Sequence, residues 1–136
     1  MTYKFEILGK PMGKQRPAFS RFGTYTPEKT VNYETLTKWI FMNKYKDFKP
    51  IEGPIKATIK AFFTPPASYS EKKKRELITQ VHYTHKPDVD NTGKIIMDSL
   101  NKIAYIDDAQ ICDLRVIKQY AEQDKVIVEI EEIENK

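Results

Sequence analysis

Apolar and polar residues alternate from Tyr3 to Leu8, with Tyr3, Phe5 and Ile7 set against Lys4 and Glu6. A period of two predicts a half-buried strand. Residues 9–26, GKPMGKQRPAFSRFGTYT, break that pattern with three Gly, two Pro and four Lys or Arg. They predict a basic loop, with a short hairpin around Phe22-Gly23. Thr26-Pro27-Glu28 reads as a helix start, Thr capping and Pro at the first helical position. Tyr33, Leu36 and Ile40 carry its apolar stripe to about Tyr45, and Glu52-Gly53-Pro54 breaks the chain. The cleanest strand follows: Ile55, Ala57, Ile59, Ala61 and Phe63 on one side, Lys56, Thr58 and Lys60 on the other. Pro65-Pro66 ends it. Ser70 opens a short helix to residue 79 with a basic run, Lys72-Lys73-Lys74-Arg75, and residues 80–89 read as irregular. A strong helix is predicted from about Asp90 to Ile103. Two strands follow, Ile111 to Tyr120 and Lys125 to Ile133, joined by a turn near Glu122-Gln123-Asp124. The order β-α-β-(α)-α-β-β predicts an α+β (mixed α/β) fold, a single sheet of about four strands packed with two to three helices. No linker divides it, so residues 1–136 read as one domain.

Composition narrows the class. At 40% hydrophobic and 31% charged residues, the chain suits a globular protein. No apolar run approaches the roughly 18 residues of a membrane span, and MTYKFEILGK holds no apolar signal segment. Cys112 is the only cysteine, so an internal disulfide is excluded and a reducing cytoplasm is expected. Cys112 itself lies in a predicted strand and is expected in the core. The net charge of +4 suits an anionic partner.

The candidate chemistry lies in His85-Lys86-Pro87-Asp88-Val89-Asp90-Asn91-Thr92-Gly93-Lys94, continuing to Asp98 and Asp107-Asp108. At 100° per residue, Lys94 and Asp98 lie about 40° and about 80° from Asp90. Ile96, Leu100 and Ile103 lie at about 240°, 280° and 220°, roughly opposite. One helix face therefore packs and the other presents Asp90, Lys94 and Asp98. Phosphodiester hydrolysis uses such groups: Mg²⁺ takes carboxylate oxygens, and a neighbouring lysine stabilises developing negative charge. The same residues also suit a plainer role. Asp or Asn before a helix is a cap, Asp98 can pair with Lys94 or Lys102, and Asp107-Asp108 can be a turn.

Taken in order, Asp88-Val89-Asp90-Asn91, Lys94, Asp98, Leu100-Asn101 and Asp107-Asp108-Ala109-Gln110-Ile111 resemble the signature of the RusA family of Holliday junction resolvases. Gly9-Lys10-Pro11, Lys14-Gln15-Arg16-Pro17 and Tyr25-Thr26-Pro27 resemble members from Gram-positive bacteria and their phages. The resemblance spans residues 3 to about 130. It implies a homodimeric, Mg²⁺-dependent crossover junction endodeoxyribonuclease that makes paired nicks in recombination and repair, in a phage or prophage setting. It carries the acidic, metal-holding roles onto Asp88, Asp90 and Asp108 and the catalytic lysine onto Lys94, with Asp107 the rival of Asp108. The chain departs from the family at Thr92-Gly93, where members carry an apolar residue after the Asn. Glycine weakens a helix, so a looser or later first turn is expected there.

Around this core, Lys10, Lys14, Arg16 and Arg21 stand among Phe19, Phe22 and Tyr25 in the basic loop, and Lys86 adjoins the acids. Such a set can grip phosphates and stack on unpaired bases; it can equally be a solvated loop whose aromatics pin it to the core. Trp39 and Tyr45 are expected in the core or on a dimer surface, and the first helix supplies candidate interface aromatics. Two alternatives stay open beside branched-DNA resolution: a nuclease of broader choice acting on flaps or forks, and a non-catalytic DNA-binding accessory protein.

Overall fold

A computed structural model describes residues 2–134. It has the predicted α+β architecture: a four-stranded mixed sheet, a two-stranded hairpin and three α-helices. The strands are β1 (Thr2–Leu8), β2 (Ala18–Ser20), β3 (Gly23–Tyr25), β4 (Ile55–Phe63), β5 (Ile111–Tyr120) and β6 (Lys125–Glu132). The helices are α1 (Glu28–Lys44), α2 (Glu71–Gln80) and α3 (Val89–Leu100).

The main sheet runs β1-β6-β4-β5. The turn after β5 therefore does not make β5 and β6 neighbours. β4 lies between them, parallel to β5 and antiparallel to β6. β4 has the more regular apolar side, and the centre of the sheet is where burial on that side is greatest. Ile55, Ala57, Ile59, Ala61 and Phe63 all bury there, beside Val126, Val128 and Ile130 of β6. The helices cover this face, α1 over β1 and α3 over β5. Lys4, Lys56 and Lys60 on the other face stay exposed.

Helix α1 starts one residue late, with Pro27 in the cap position and no side-chain cap hydrogen bond, so Thr26 does not serve as the cap. Tyr33 is buried as expected, but the rest of its row is Thr30, Thr37 and Phe41 rather than Leu36 and Ile40. Leu36 is 40% exposed and Trp39 63%. The helix carries apolar residues on more than one side, so its period does not choose a face. The choice falls to Phe41, which packs edge-on against Tyr3, Phe5 and Phe48. Ser70 caps α2 as its sequence suggests, accepting from Lys73 N at 3.2 Å. Cys112 is exposed rather than core. It sits at the start of an edge strand, where the register with β4 skips it.

Helix α3 begins at Val89 and ends at Leu100, with Lys102 in the left-handed region at φ 67°. Its first turn is not looser for Gly93, which is buried. A Cβ there would lie 2.8 Å from Val116 Cγ2 on β5. The glycine lets α3 approach the sheet closely.

Gly93→Ala should therefore destabilise the protein, against its gain in helix propensity of about 1 kcal/mol. Overpacking costs about 1–3 kcal/mol, so a net loss of about 1 kcal/mol is expected. Urea unfolding of Gly93→Ala, Val116→Ala and the pair tests this: the pair should lose less than the sum of the singles. A stabilised Gly93→Ala would show that the close approach constrains nothing.

Candidate functional site

The loop into α3 is built by residues distant in sequence. Lys118 on β5 donates from Nζ to the carbonyls of His85 and Pro87, both at 2.7 Å. Gly13 lies against Pro87 and Asn91, where a Cβ would come within 2.6 Å of Pro87 Cβ. Lys14 N donates to Asn91 O at 2.9 Å. The basic loop is thus docked on the start of α3 by its backbone. The Lys86–Pro87 peptide is cis.

Asp88 occupies the N-cap position of α3, yet its side chain makes no capping hydrogen bond. The carboxylate accepts from Lys86 Nζ at 2.9 Å, an exposed pair worth little by itself. Only the Asp88 carbonyl serves the helix, accepting from Thr92 N and Thr92 Oγ1, each at 2.9 Å. Asp90 is exposed on the first turn and Lys94 is exposed one turn on. Neither makes an ion pair within the described residues. Plain capping does not account for Asp88.

Asp107 and Asp108 behave differently. Asp107 caps the short 3-10 turn Asp108–Gln110, its carboxylate accepting from Ala109 N at 3.0 Å, while its own backbone N–H donates to Gln110 Oε1 at 2.8 Å. Asp108 is exposed; its backbone N–H donates to Asn101 Oδ1 at 3.1 Å, and no described residue donates to its carboxylate. Asp98, Asp107 and Asp108 together add to the burial that raises the Tyr105 hydroxyl pKa. Asp108 therefore sits at the C-terminal end of α3, beside Asn101, whereas Asp88 and Asp90 sit at its N-terminal end. At 1.5 Å per residue, Asp90 and Asn101 are about 16 Å apart along the axis. One chain brings Asp88, Asp90 and Lys94 together but not Asp108. Accordingly, no group of three or more His, Cys, Asp or Glu among the described residues is placed to hold a metal.

The proposed phosphate grips also separate. Lys14 lies between Glu34 and Asp98, each at 3.2 Å. Burial opposes its charge, but the two carboxylates outweigh that and raise its pKa. Lys10, Arg16, Arg21 and Lys86 are exposed. Phe19, Phe22 and Tyr25 are exposed too, so they do not pin the hairpin to the core. Arg21 lies over the Phe22 ring at 5.5 Å. A groove of about 340 Å³ runs between the loop and α3, lined by Lys14, Arg16, Asn91, Lys94 and Asp98. A larger hollow of about 470 Å³ lies across the 85–87 loop, with Lys10, Tyr69, Tyr83 and His85 on its walls. Of the two, the groove is the better candidate for chemistry, because it adjoins Lys94.

Lys118 is the residue that sequence reasoning passed over. Burial and the nearby Lys86 lower its pKa, although Asp88 opposes them. Its signal was a lysine on the side of β5 that also carries Val116 and Tyr120.

Compared with known proteins, residues 9–131 match the family described as Endodeoxyribonuclease RusA. The chain is also 32% identical over 136 residues to "Uncharacterized protein YqaN" of Bacillus subtilis (strain 168), covering 96% of each chain. Among the described residues no helix is long and apolar enough to cross a membrane.

The two basic residues of the loop should separate in a stability assay. Lys14→Ala leaves Glu34 and Asp98 uncompensated and should cost about 1 kcal/mol. Arg16→Ala should leave the melting temperature unchanged. Equal losses in thermal unfolding would contradict the distinct placements.

Proposed function

This chain belongs to the RusA family of endodeoxyribonucleases, and from that premise we propose that it resolves four-way DNA junctions by paired, Mg²⁺-dependent nicks. The observation that carries this reading is the state of Asp88: it stands at a helix start without capping it, beside an exposed Asp90 and Lys94. Membership of the family makes it a nuclease acting on DNA; junction choice, metal and residue roles are the proposal.

The donor chemistry suits the metal. Mg²⁺ is usually held by one or two carboxylates, with phosphate and water as the remaining ligands. Asp88 and Asp90 offer hard oxygens at one helix end, and would hold it. When bound, the ion lowers the pKa of a water and neutralises charge on the phosphoryl group. The rest falls to side chains. Lys94 projects its ammonium beside the groove, where it stabilises negative charge developing on phosphate. Arg16, Arg21 and Lys10 make no ion pair among the described residues and can neutralise backbone phosphates, while Lys86 reaches a phosphate by exchanging its exposed pair with Asp88. Lys14 acts as a brace, since its charge is already met. Phe19, Phe22 and Tyr25 give stacking surfaces for unpaired bases.

A homodimer suits both substrate and site. A four-way junction has two-fold symmetry, and paired nicks need two sites on one molecule. A two-fold operation across α3 also sets the N-terminal end of one copy near the C-terminal end of the other. Asp108 of a second copy can then complete the pair at Asp88 and Asp90. The accessory-protein alternative loses support with the uncapped Asp88. Cleavage of junction, flap and duplex side by side, in Mg²⁺ and in EDTA, separates the junction reading from broader branched-DNA cutting.

Asp90→Asn should bind junction DNA in EDTA at least as tightly as wild type, because a like charge is removed, and should lose almost all cleavage. Asp108→Asn should cut far less than Asp107→Asn, since Asp107 serves as a cap and Asn caps comparably. Normal cutting by a folded Asp90→Asn would sink the nuclease site.

Mixing two inactive variants tests the shared site. Subunits of Asp88→Asn and Asp108→Asn exchanged at equal amounts should regain about a quarter of wild-type sites, as half the dimers hold one intact set. Products should be single nicks rather than paired ones. No regained cutting, with exchange verified, would place all the acids of a site in one chain.

A further inference from the structure

Strand β5 is an edge of the main sheet, and its outer side is covered only in part. At its C-terminal end, Tyr120 N donates to Val81 O at 2.7 Å and Tyr83 N donates to Lys118 O at 3.3 Å. Residues 118 and 120 thus turn their backbone groups outward. By the two-residue alternation of a strand, 114 and 116 do the same. Among the described residues, no backbone group outside the sheet bonds to Leu114 or Val116. This half of β5 is also bare in its side chains: Cys112, Asp113, Leu114 and Arg115 are all exposed, Leu114 by 43%. An open edge strand with an exposed leucine is a template for pairing with another strand.

The sequence along that edge is complementary to itself. Consider two copies of β5 running antiparallel about a two-fold axis at Leu114. Leu114 then faces Leu114 of the second copy, and Asp113 faces Arg115 on both sides of the axis. The pairing in the sheet fixes their faces. Asp113 is level with Lys56 and Arg115 with Thr58, on the side away from the helices; Leu114 is level with Ala57, on the helix side. So the two opposite-charge pairs share the open face and the leucines share the other. Opposed charges directly across an antiparallel pair stabilise it, and like charges disfavour it. Leu114, with outward backbone groups, would form a hydrogen-bonded pair on the axis. Moving the axis by one outward residue, to Val116, would set Arg115 against Ile117 and lose both charge pairs.

We propose that β5 is the homodimer seam, joining two main sheets across an antiparallel β5–β5 pair centred on Leu114. The occupant is a second copy of this chain, because the edge matches its own sequence. The proposal rests on the homodimer reading above for its two-fold symmetry, and does not depend on nuclease activity. The exposed row of α1, with Val31, Trp39 and Met42, is the rival surface.

A charge-swap series read by light scattering tests it. Wild type should be a dimer. Asp113→Arg and Arg115→Asp should each raise the dimer dissociation constant by about a hundredfold, since each sets like charges opposite one another twice. Combined in one chain, the two substitutions exchange the charges and should restore the dimer. All are exposed, so far-UV circular dichroism should be unchanged. In a Cys112→Ser background, Leu114→Cys should oxidise to a covalent dimer. A hydrogen-bonded pair puts the Cα atoms about 5.5 Å apart, within disulfide reach. A monomeric wild type overturns the seam and the homodimer together. Single swaps that stay dimeric, a combined variant that stays monomeric, or a Trp39→Glu that alone dissociates the dimer overturns the seam only. DNA cleavage is scored separately: a dimer that behaves as expected but cuts no branched DNA leaves the seam standing and removes the junction reading.

Discussion

The close contact of α3 with β5 is the constraint on which the rest depends. Gly93 leaves no side chain between helix and strand, so Val116 fills the space. This sets the height of α3 above the sheet, and with it the depth at which Lys118 meets the 85–87 loop. Lys118 reaches two loop carbonyls because strand and helix start are that near. Gly13 extends the same principle outward: a bare backbone meets Pro87 and Asn91, and brings the basic loop onto the helix.

On that frame charge is divided between two duties. Some groups are spent on structure: Lys14 between Glu34 and Asp98, Asp107 in its capping box, Asp124 accepting from Thr64. Others are left facing solvent without a structural partner: Asp90, Lys94, Asp108 and Arg16. Residues of the second kind hold their charge at no evident benefit to the fold, and it is on them that the proposed site draws. The division is sharpest at neighbours. Asp107 and Asp108 are chemically alike and adjacent, yet one is bound into a turn and the other is not.

The geometry of α3 also bears on the proposed two-fold unit. A helix presents its two ends about as far apart as its length, so acids placed at both cannot meet within one chain. The ten-residue edge strand beside it runs further, about 30 Å at about 3.3 Å per residue. An antiparallel pairing of such edges reverses the order of the ends, and an open, self-complementary stretch lies midway along β5.

The sequence by itself determined the local elements and which charged residues share a helix face. Alternation in residues 3–8 and 55–63, the Ser70 cap and the opposed stripes of α3 all follow from short-range pattern, because strand and helix periods act within a few residues. Asp90, Lys94 and Asp98 were legible for the same reason, sharing one helix face, whereas Asp88 and Asp108 were singled out by the family resemblance. Tertiary structure decided what depends on distant neighbours. It placed β4 between β5 and β6, although a short turn links those two in the chain. It turned α1 by its aromatic contacts, since apolar residues on several sides left the period ambiguous. It left Cys112 exposed, because a strand's burial depends on its place in the sheet and no residue pattern marks an edge. It paired Lys14 with carboxylates 20 and 84 residues away, and separated Asp107 from Asp108 by one capping bond. Period is a property of adjacent residues; which face is covered, and which charge is already answered, is a property of the packed chain.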